Sequence, residues 1–184
     1  IVSNLALVAN FMLTIVLARL LSPQDIGIFS MGAVLIAVAH VFRDFGVTAF
    51  IRREKELTPE SLRNALGVLL VTSWSVAAAM YLSAPYWADF FREARVMSVV
   101  QVLAMGFVFI PFGSIPMAII SREMAVEKSA RITAVSTVVY FGVSVGLALA
   151  GFGPMTMAWA NLITIFVPGA MARWALGRPL PWLP

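Results

Sequence analysis

Long apolar runs dominate the sequence and decide what it can fold into. Six of them can be counted, at residues 1–21, 26–51, 62–84, 96–120, 132–151 and 154–172. A helix needs about 20 apolar residues to cross the roughly 30 Å of hydrocarbon in a bilayer. The sequence therefore predicts an all-α, polytopic membrane protein with six transmembrane helices.

The overall composition agrees with this class and excludes several kinds of site. Hydrophobic residues make up 61% and charged residues 12% of the 184 residues, whereas soluble domains have about 45–50% and about 25%. The sequence has no cysteine and one histidine, which excludes disulfides, thiol catalysis and a histidine-based metal centre. We therefore expect no metal and no other cofactor.

The basic residues indicate how the chain is oriented. The net charge of +4 does not indicate a nucleic-acid partner, because the basic residues fall in short clusters between the apolar runs. With a cytoplasmic N-terminus, nine lysines and arginines lie inside and three outside, as the positive-inside rule requires. The inside set is Arg52, Arg53, Lys55, Arg63, Arg122, Lys128, Arg131, Arg173 and Arg178, and the outside set is Arg19, Arg92 and Arg95.

Short motifs between the runs predict where helices begin and end. In "SPQD" (22–25), Ser22 suits a helix N-cap, Pro23 the first helical position and Asp25 the positive end of the helix dipole. Thr58 and Pro59 repeat the same signal. "GFGP" (151–154) predicts a tight turn, 121–131 a charged loop, and "PYWADFFREAR" (85–95) an aromatic loop at headgroup level. Two further prolines, Pro111 and Pro116, predict a kinked or broken fourth helix.

The clearest candidates for function are three polar residues late in the second run, His40, Arg43 and Asp44. A charge at the centre of a span costs about 2.5–3.5 kcal/mol on insertion scales, and such residues usually face a cavity. His40 shares a helix face with Asp44 and nearly shares one with Arg43. Alternatively, the span ends at Phe42 and Arg43 extends to the cytoplasmic headgroups.

Other polar residues within the runs are more ambiguous. Arg19, near the outer end of the first run, either extends to the headgroups or faces a cavity, and Asn10 and Thr14 form a polar line on the same helix. The neutral polar residues are expected to bond across helices or to their own backbone; they are Gln101, Thr133, Thr137, Tyr140, Ser144, Asn161 and Thr164. Gly142 and Gly146 form a GxxxG helix-packing motif. No catalytic set is visible, so we do not expect an enzyme.

Several motifs together resemble those of the polysaccharide flippases in the MOP exporter superfamily. The resemblance begins with "LARLLSPQDIGIFSMG" (17–32) and continues through "FRDFGVTAFIRR" (42–53). It extends to "TPESLRNALG" (58–67), "ISREMAVEKSARI" (120–132) and "ALGRPLPWLP" (175–184). Each motif is weak alone, but their order and spacing are fairly specific and cover the whole chain.

The resemblance implies an architecture and an activity. Residues 1–172 would form the six-helix N-terminal lobe of a two-lobe transporter, and 173–184 a cytoplasmic linker toward the second lobe. Such proteins move undecaprenyl-pyrophosphate-linked oligosaccharide from the cytoplasmic to the periplasmic leaflet of the bacterial inner membrane by alternating access. The implied partners are this lipid-linked oligosaccharide and membrane lipids, with association with a polysaccharide polymerase or glycosyltransferases.

The resemblance also implies roles for the polar residues. By position, Arg19 and Arg43 match cavity-facing cations, and we expect both to look into one shared hollow and hold the pyrophosphate through their planar guanidinium groups. Asn10 and Asn161 would suit sugar hydroxyls. The resemblance offers no counterpart for His40 or Asp44. From their chemistry alone, Asp44 would pair with Arg43 in the empty cavity, and His40 would link the site to protons.

Three other functions compete with this interpretation. A multidrug or organic-cation antiporter of the same superfamily would share the fold but would be expected to have an acidic cavity. A membrane-embedded glycosyltransferase would need a large periplasmic loop. A membrane scaffold without transport activity would not need charges inside a span.

Overall fold

The protein is a bundle of long α-helices in a computed structural model. The structure describes residues 2–43, 59–122 and 126–176, and within them the side chains of 11–41, 60–120, 127 and 129–175. These parts form six helices and contain no strand, which confirms the all-α prediction. The helices are α1 (Val2–Leu20), α2 (Pro23–Arg43), α3 (Pro59–Phe91), α4 (Arg95–Arg122), α5 (Val126–Leu149) and α6 (Met155–Leu176).

The helices have the length and composition of membrane spans. Helices α2 to α6 each contain a window apolar and long enough to cross a bilayer, and the described side chains of α1 add the apolar segment Phe11–Leu20. The prediction of a polytopic membrane protein is therefore confirmed. Six crossings and a cytoplasmic N-terminus remain predictions.

Two predicted loops are largely helical. Helix α3 continues through Pro85 to Phe91, so the loop prediction for 85–95 was wrong over its first seven residues. The aromatic residues stabilise this extra helix, because Trp87 stacks on Phe91 and its indole donates a hydrogen bond of 3.2 Å to Ser83. In the predicted loop 121–131, residues 121–122 and 126–131 are helical, and 123–125 lie outside the described residues.

Helix α4 is continuous through Pro111 and Pro116, so the alternative of a broken helix is wrong. Each proline removes one helical N–H and leaves a carbonyl without its usual donor. Two side chains bond other carbonyls of the same stretch: Ser114 donates to the Ile110 carbonyl at 2.8 Å, and the Trp74 indole of α3 donates to the Val108 carbonyl at 3.4 Å.

Helix α4 is also the centre of the packing. Helices α3 and α6 pack along it most extensively, and α2 packs on both α4 and α3. Helix α5 packs mainly on α6, and α1 mainly on α5. The largest buried cluster therefore lies around α4 and includes Val96, Val99, Val100, Leu103 and Phe107.

The contact between α4 and α6 depends on two glycines that the motif search did not select. A Cβ atom built on Gly113 would lie 2.9 Å from the Cα of Gly169, and the converse distance is also 2.9 Å. By contrast, a Cβ on Gly142 or Gly146 would meet nothing within 4 Å among the described residues. The GxxxG motif of α5 is therefore not a packing contact within the described part of the chain.

Three short connections lie together at one end of the bundle, which we call the turn end. They are residues 21–22 between α1 and α2, 92–94 between α3 and α4, and 150–154 between α5 and α6. Ser22 caps α2 as predicted, because its hydroxyl accepts a hydrogen bond from the Asp25 N–H at 3.1 Å. The predicted tight turn is present as well, with Gly151 at φ +78° and Gly153 at φ +55°.

Candidate functional site

The first two helices pack on different neighbours, from which we infer a cleft between them. Helix α1 packs along α5 and α2 along α4, and within the described residues α1 and α2 do not pack along each other. They converge at the turn end, where Leu17, Leu21, Ile26 and Met157 belong to one apolar cluster. We call the space between the diverging helices the α1–α2 cleft, and this cluster closes its apex.

One face of α6 runs away from the apex cluster, and we infer that it is the floor of the cleft. Met157, Asn161 and Thr164 are spaced at i, i+4 and i+7 and so share one side of the helix. Met157 packs in the apex cluster, which places the half-buried Asn161 one turn further from the turn end. The Thr164 hydroxyl donates to the Asn161 carbonyl at 2.6 Å. Asn161 is therefore the polar side chain on this face nearest to the apex.

The opposite side of α6 is apolar. A cavity of about 470 Å³ lies between α4, α5 and α6. It is lined by Phe109, Val143, Leu147, Phe152, Trp159, Leu162, Ile163 and Phe166. Trp159 precedes Asn161 by two residues, or about 200° around the helix. Helix α6 therefore separates an apolar groove from the cleft that contains Asn161.

Arg19 lies on the side of α1 that faces away from α5. Its side chain is exposed, whereas Leu13 and Leu17 are buried in the cluster shared with α5. Asn10, whose side chain lies outside the described residues, is nine residues before Arg19, or about half a turn around the helix. The backbone positions of Arg19 and Asn10 therefore lie on opposite sides of α1.

His40 lies in the interface between α2 and α4. Its ring centroid is 4.8 Å from that of Phe107, and Phe107 is buried. Arg43 is the last residue of α2, four residues after the buried Ala39, so its position is on the α4-facing side of the helix. The side chain of Arg43 and the whole of Asp44 lie outside the described residues.

The two candidate cations are far apart. Arg19 directly precedes the turn end, whereas Arg43 is at the other end of the 21-residue helix α2. At 1.5 Å per residue the length of α2 alone is roughly 30 Å, much longer than a pyrophosphate. The expectation that both arginines hold one pyrophosphate in a shared hollow is therefore incompatible with the helix geometry.

Most of the hydroxyl groups among the neutral polar residues donate a hydrogen bond to a carbonyl of their own helix. Thr133 donates to the Ser129 carbonyl at 2.9 Å, and Thr137 donates to the Thr133 carbonyl at 2.8 Å. Thr164 behaves in the same way toward Asn161. For these threonines the expected backbone bonding is confirmed, and we do not assign them to the site.

A polar network at the turn end was missed by the sequence interpretation. Arg95 is held by Glu93, with Nε 3.0 Å from Oε1 and Nη2 3.3 Å from Oε2. Its Nη1 lies 3.5 Å from Oδ1 of Asp25, 70 residues earlier in the chain. The hydrogen bond from Arg95 holds the pKa of the Glu93 carboxyl below its usual value. The sequence spacing carries no signal for this long-range pair.

Comparison with known proteins places the chain in a family. Residues 16–182 match a family model described as "Polysaccharide biosynthesis protein". The chain is 25% identical over 142 residues to the lipopolysaccharide biosynthesis protein WzxC of Escherichia coli (strain K12), a match that covers 77% of this chain and 28% of that protein. No solved structure matches the chain. The chain thus spans less than a third of its relative, and it belongs to the polysaccharide biosynthesis protein family.

Proposed function

We propose that the protein is a transporter that moves an undecaprenyl-pyrophosphate-linked oligosaccharide from the cytoplasmic to the periplasmic leaflet of the bacterial inner membrane. The proposal rests on the inferred α1–α2 cleft, which is closed by apolar side chains at one end and has Asn161 on its inferred floor. A polar group that faces a gap within a membrane bundle is typical of a transport path. Membership of the polysaccharide biosynthesis family supports the class of cargo.

The proposed orientation relates the cleft to the two membrane surfaces. With a cytoplasmic N-terminus, the turn end lies at the periplasm and the cleft opens toward the cytoplasm, where the cargo is loaded. Residues 1–172 then act as one lobe, which rocks against a second lobe to give alternating access. The helical residues Arg173–Leu176 extend this lobe into the proposed linker, whose residues 177–184 lie outside the described residues. Labelling of a cysteine placed at the exposed Gln24 from outside intact cells tests the orientation.

The two arginines act in succession in this proposal. Arg43, at the cytoplasmic end of α2, meets the pyrophosphate as it enters, and Arg19 meets it near the periplasmic end. Each guanidinium offers a planar pair of donors that suits a phosphate. Asp44 would pair with Arg43 while the cleft is empty. Asn10 and Asn161 would bond sugar hydroxyls, and His40 would respond to protons from the α2–α4 interface.

Charge favours this cargo over an organic cation. Within the described residues, the acidic side chains lie in or next to the ends of helices, and none is near Asn161. They are Asp25, Glu60, Asp89, Glu93 and Glu127. An organic cation beside Asn161 would therefore lack a counter-charge among the described residues. The three turns at the turn end are two to five residues long, which does not favour a glycosyltransferase that needs a large periplasmic loop.

Complementation in cells tests the proposed function. A strain without its own exporter would express the intact protein, and surface polysaccharide and organic-cation efflux would both be measured. We expect restored surface polysaccharide and unchanged efflux. Restored efflux without surface polysaccharide would favour the antiporter. Neighbouring glycosyltransferases or a polymerase that co-purify with the protein would support the proposed association.

A further inference from the structure

Asp25 contacts all three turns at the turn end. Within its own turn, its Oδ2 accepts hydrogen bonds from the Ser22 hydroxyl at 2.6 Å and from the Ser22 N–H at 3.3 Å. Its Oδ1 lies 3.5 Å from Nη1 of Arg95, at the start of α4. The same oxygen would lie only 3.3 Å from a Cβ atom built on Gly153, in the α5–α6 turn. One carboxylate therefore lies where the three helical hairpins meet, bonded within the first and to the second and close to the third.

The partner of Asp25 is oriented before the contact is made. Glu93 binds two nitrogens of the Arg95 guanidinium, so the remaining nitrogen has a fixed direction toward Asp25. The Asp25 side chain is 18% exposed, whereas that of Arg95 is 46% exposed. An ion pair this open to solvent contributes little to stability. The contact is therefore specific in position and weak enough to open.

The position of this contact determines what it controls. Helices α1 and α2 meet at the turn end and, within the described residues, do not pack along each other beyond it, so the apex sets the angle between them. Apolar packing of Leu17, Leu21, Ile26 and Met157 closes the apex from within the bundle. The Asp25–Arg95 pair acts on the apex from outside, because it holds the first turn of α2, which carries Ile26, against the first residue of α4.

We propose that Asp25 and Arg95 form a clasp that holds the start of α2 against α4 and keeps the cleft closed at the turn end. Opening of the clasp would let the cleft open there. The opening of the cleft rests on the proposed transport function, whereas the holding of α2 against α4 does not depend on it. The two parts can fail separately.

Spin labels can test the clasp, because the 184 residues contain no cysteine. One label pair is placed at the exposed Gln24 and Ala94, on the two sides of the clasp, in the intact protein in lipid nanodiscs. A matched pair is placed at the exposed Val41 and Asn64, at the other end of α2 and α3. Short-range dipolar broadening is then compared between the original sequence, Asp25→Asn, Arg95→Gln and the double variant.

We expect both single variants to reduce the fraction of close Gln24–Ala94 pairs, by up to about fivefold, the limit for an exposed ion pair. The double variant should show no further loss, and the Val41–Asn64 pair should be unchanged. Asparagine at position 25 still accepts a hydrogen bond from Ser22, so unchanged helicity by circular dichroism is the folding control. Unchanged Gln24–Ala94 spectra in both single variants, or additive losses in the double variant, would overturn the clasp.

A transport readout separates the clasp from the proposed function. In complemented cells that express a clasp variant, the amount of surface polysaccharide should change if the Gln24–Ala94 spectra of that variant change. Altered spectra with unaltered export would leave the clasp in place but refute its role in opening the cleft. If the variants alter the spectra but the protein with the original sequence exports no polysaccharide, only the proposed function is refuted.

Discussion

Gly113 of α4 and Gly169 of α6 are in backbone contact, since a Cβ atom on either would lie 2.9 Å from the Cα of the other. Real side chains do not tolerate this distance, so neither position accepts even alanine unless the helices separate. Helix α4 is the centre of the bundle, and its contact with α6 is among the most extensive in the described structure. This glycine pair therefore fixes how closely the two helices approach.

The first prediction concerns this pair. Gly113→Ala or Gly169→Ala should destabilise the protein by about 1–3 kcal/mol, the usual cost of overpacking a core. Gly142→Ala is the matched control, because its Cβ would meet nothing within 4 Å, and it should have little effect. Unfolding in mixed micelles measures all three. Equal stability of Gly113→Ala and Gly142→Ala would contradict the close approach.

A second prediction follows from the lowered pKa of Glu93, whose main cause is the hydrogen bond from Arg95. A carboxyl whose pKa is lower in the folded protein adds stability above its unfolded pKa, and this stability is lost as the pH falls through its folded pKa. The free energy of unfolding of the original protein should therefore exceed that of Glu93→Gln near neutral pH, and the difference between the two should vanish in acid. A difference that persists below the folded pKa would rule out this cause.

Asn161 provides the third prediction, because it is half-buried on the floor of the cleft. Asn161→Leu should lower export while the protein stays in the membrane, since the leucine fills the site without hydrogen-bonding a sugar hydroxyl. Thr164→Val is the control, because the Thr164 hydroxyl is already bonded to its own helix. Surface polysaccharide and immunoblots of membranes measure both variants. Loss of export in Thr164→Val but not in Asn161→Leu would move the site elsewhere.

The fourth prediction concerns Arg43. Arg43→Ala should abolish surface polysaccharide, and Arg43→Lys should restore only part of it, because the planar pair of donors is lost. Arg131→Ala is the matched control: its side chain is exposed and pairs with Glu127 at 2.6 Å. Normal export by Arg43→Ala would exclude Arg43 from the site.

Patterns of local sequence predicted much of this fold. The lengths of the apolar runs were enough to predict the helices. The cap at Ser22 and the turn at Gly151 were predicted because each depends on residues a few positions apart. The helical course of α3 past Pro85 was not predicted, because it depends on contacts of Trp87 with Phe91 and Ser83 that offset the loss of one backbone hydrogen bond.

The site was harder to predict than the fold. Composition and charge identified Arg19, Arg43 and Asn161 as candidates, but helix lengths were needed to show that Arg19, at the end of α1, and Arg43, at the far end of α2, are separated by the length of α2. The contacts of Gly113 with Gly169 and of Asp25 with Arg95 join residues 56 and 70 positions apart. Such contacts depend on how helices pack, and no spacing within one helix indicates them.

Flipping of the cargo in a purified system tests the central claim most directly. The intact protein would be placed in proteoliposomes with an undecaprenyl-pyrophosphate-linked oligosaccharide in one leaflet, and transfer to the other would be followed with an impermeant sugar-modifying enzyme. We predict transfer by the original protein and by Arg131→Ala, and strongly reduced transfer by Arg43→Ala and Asn161→Leu. Transfer no faster than in protein-free liposomes would contradict the account.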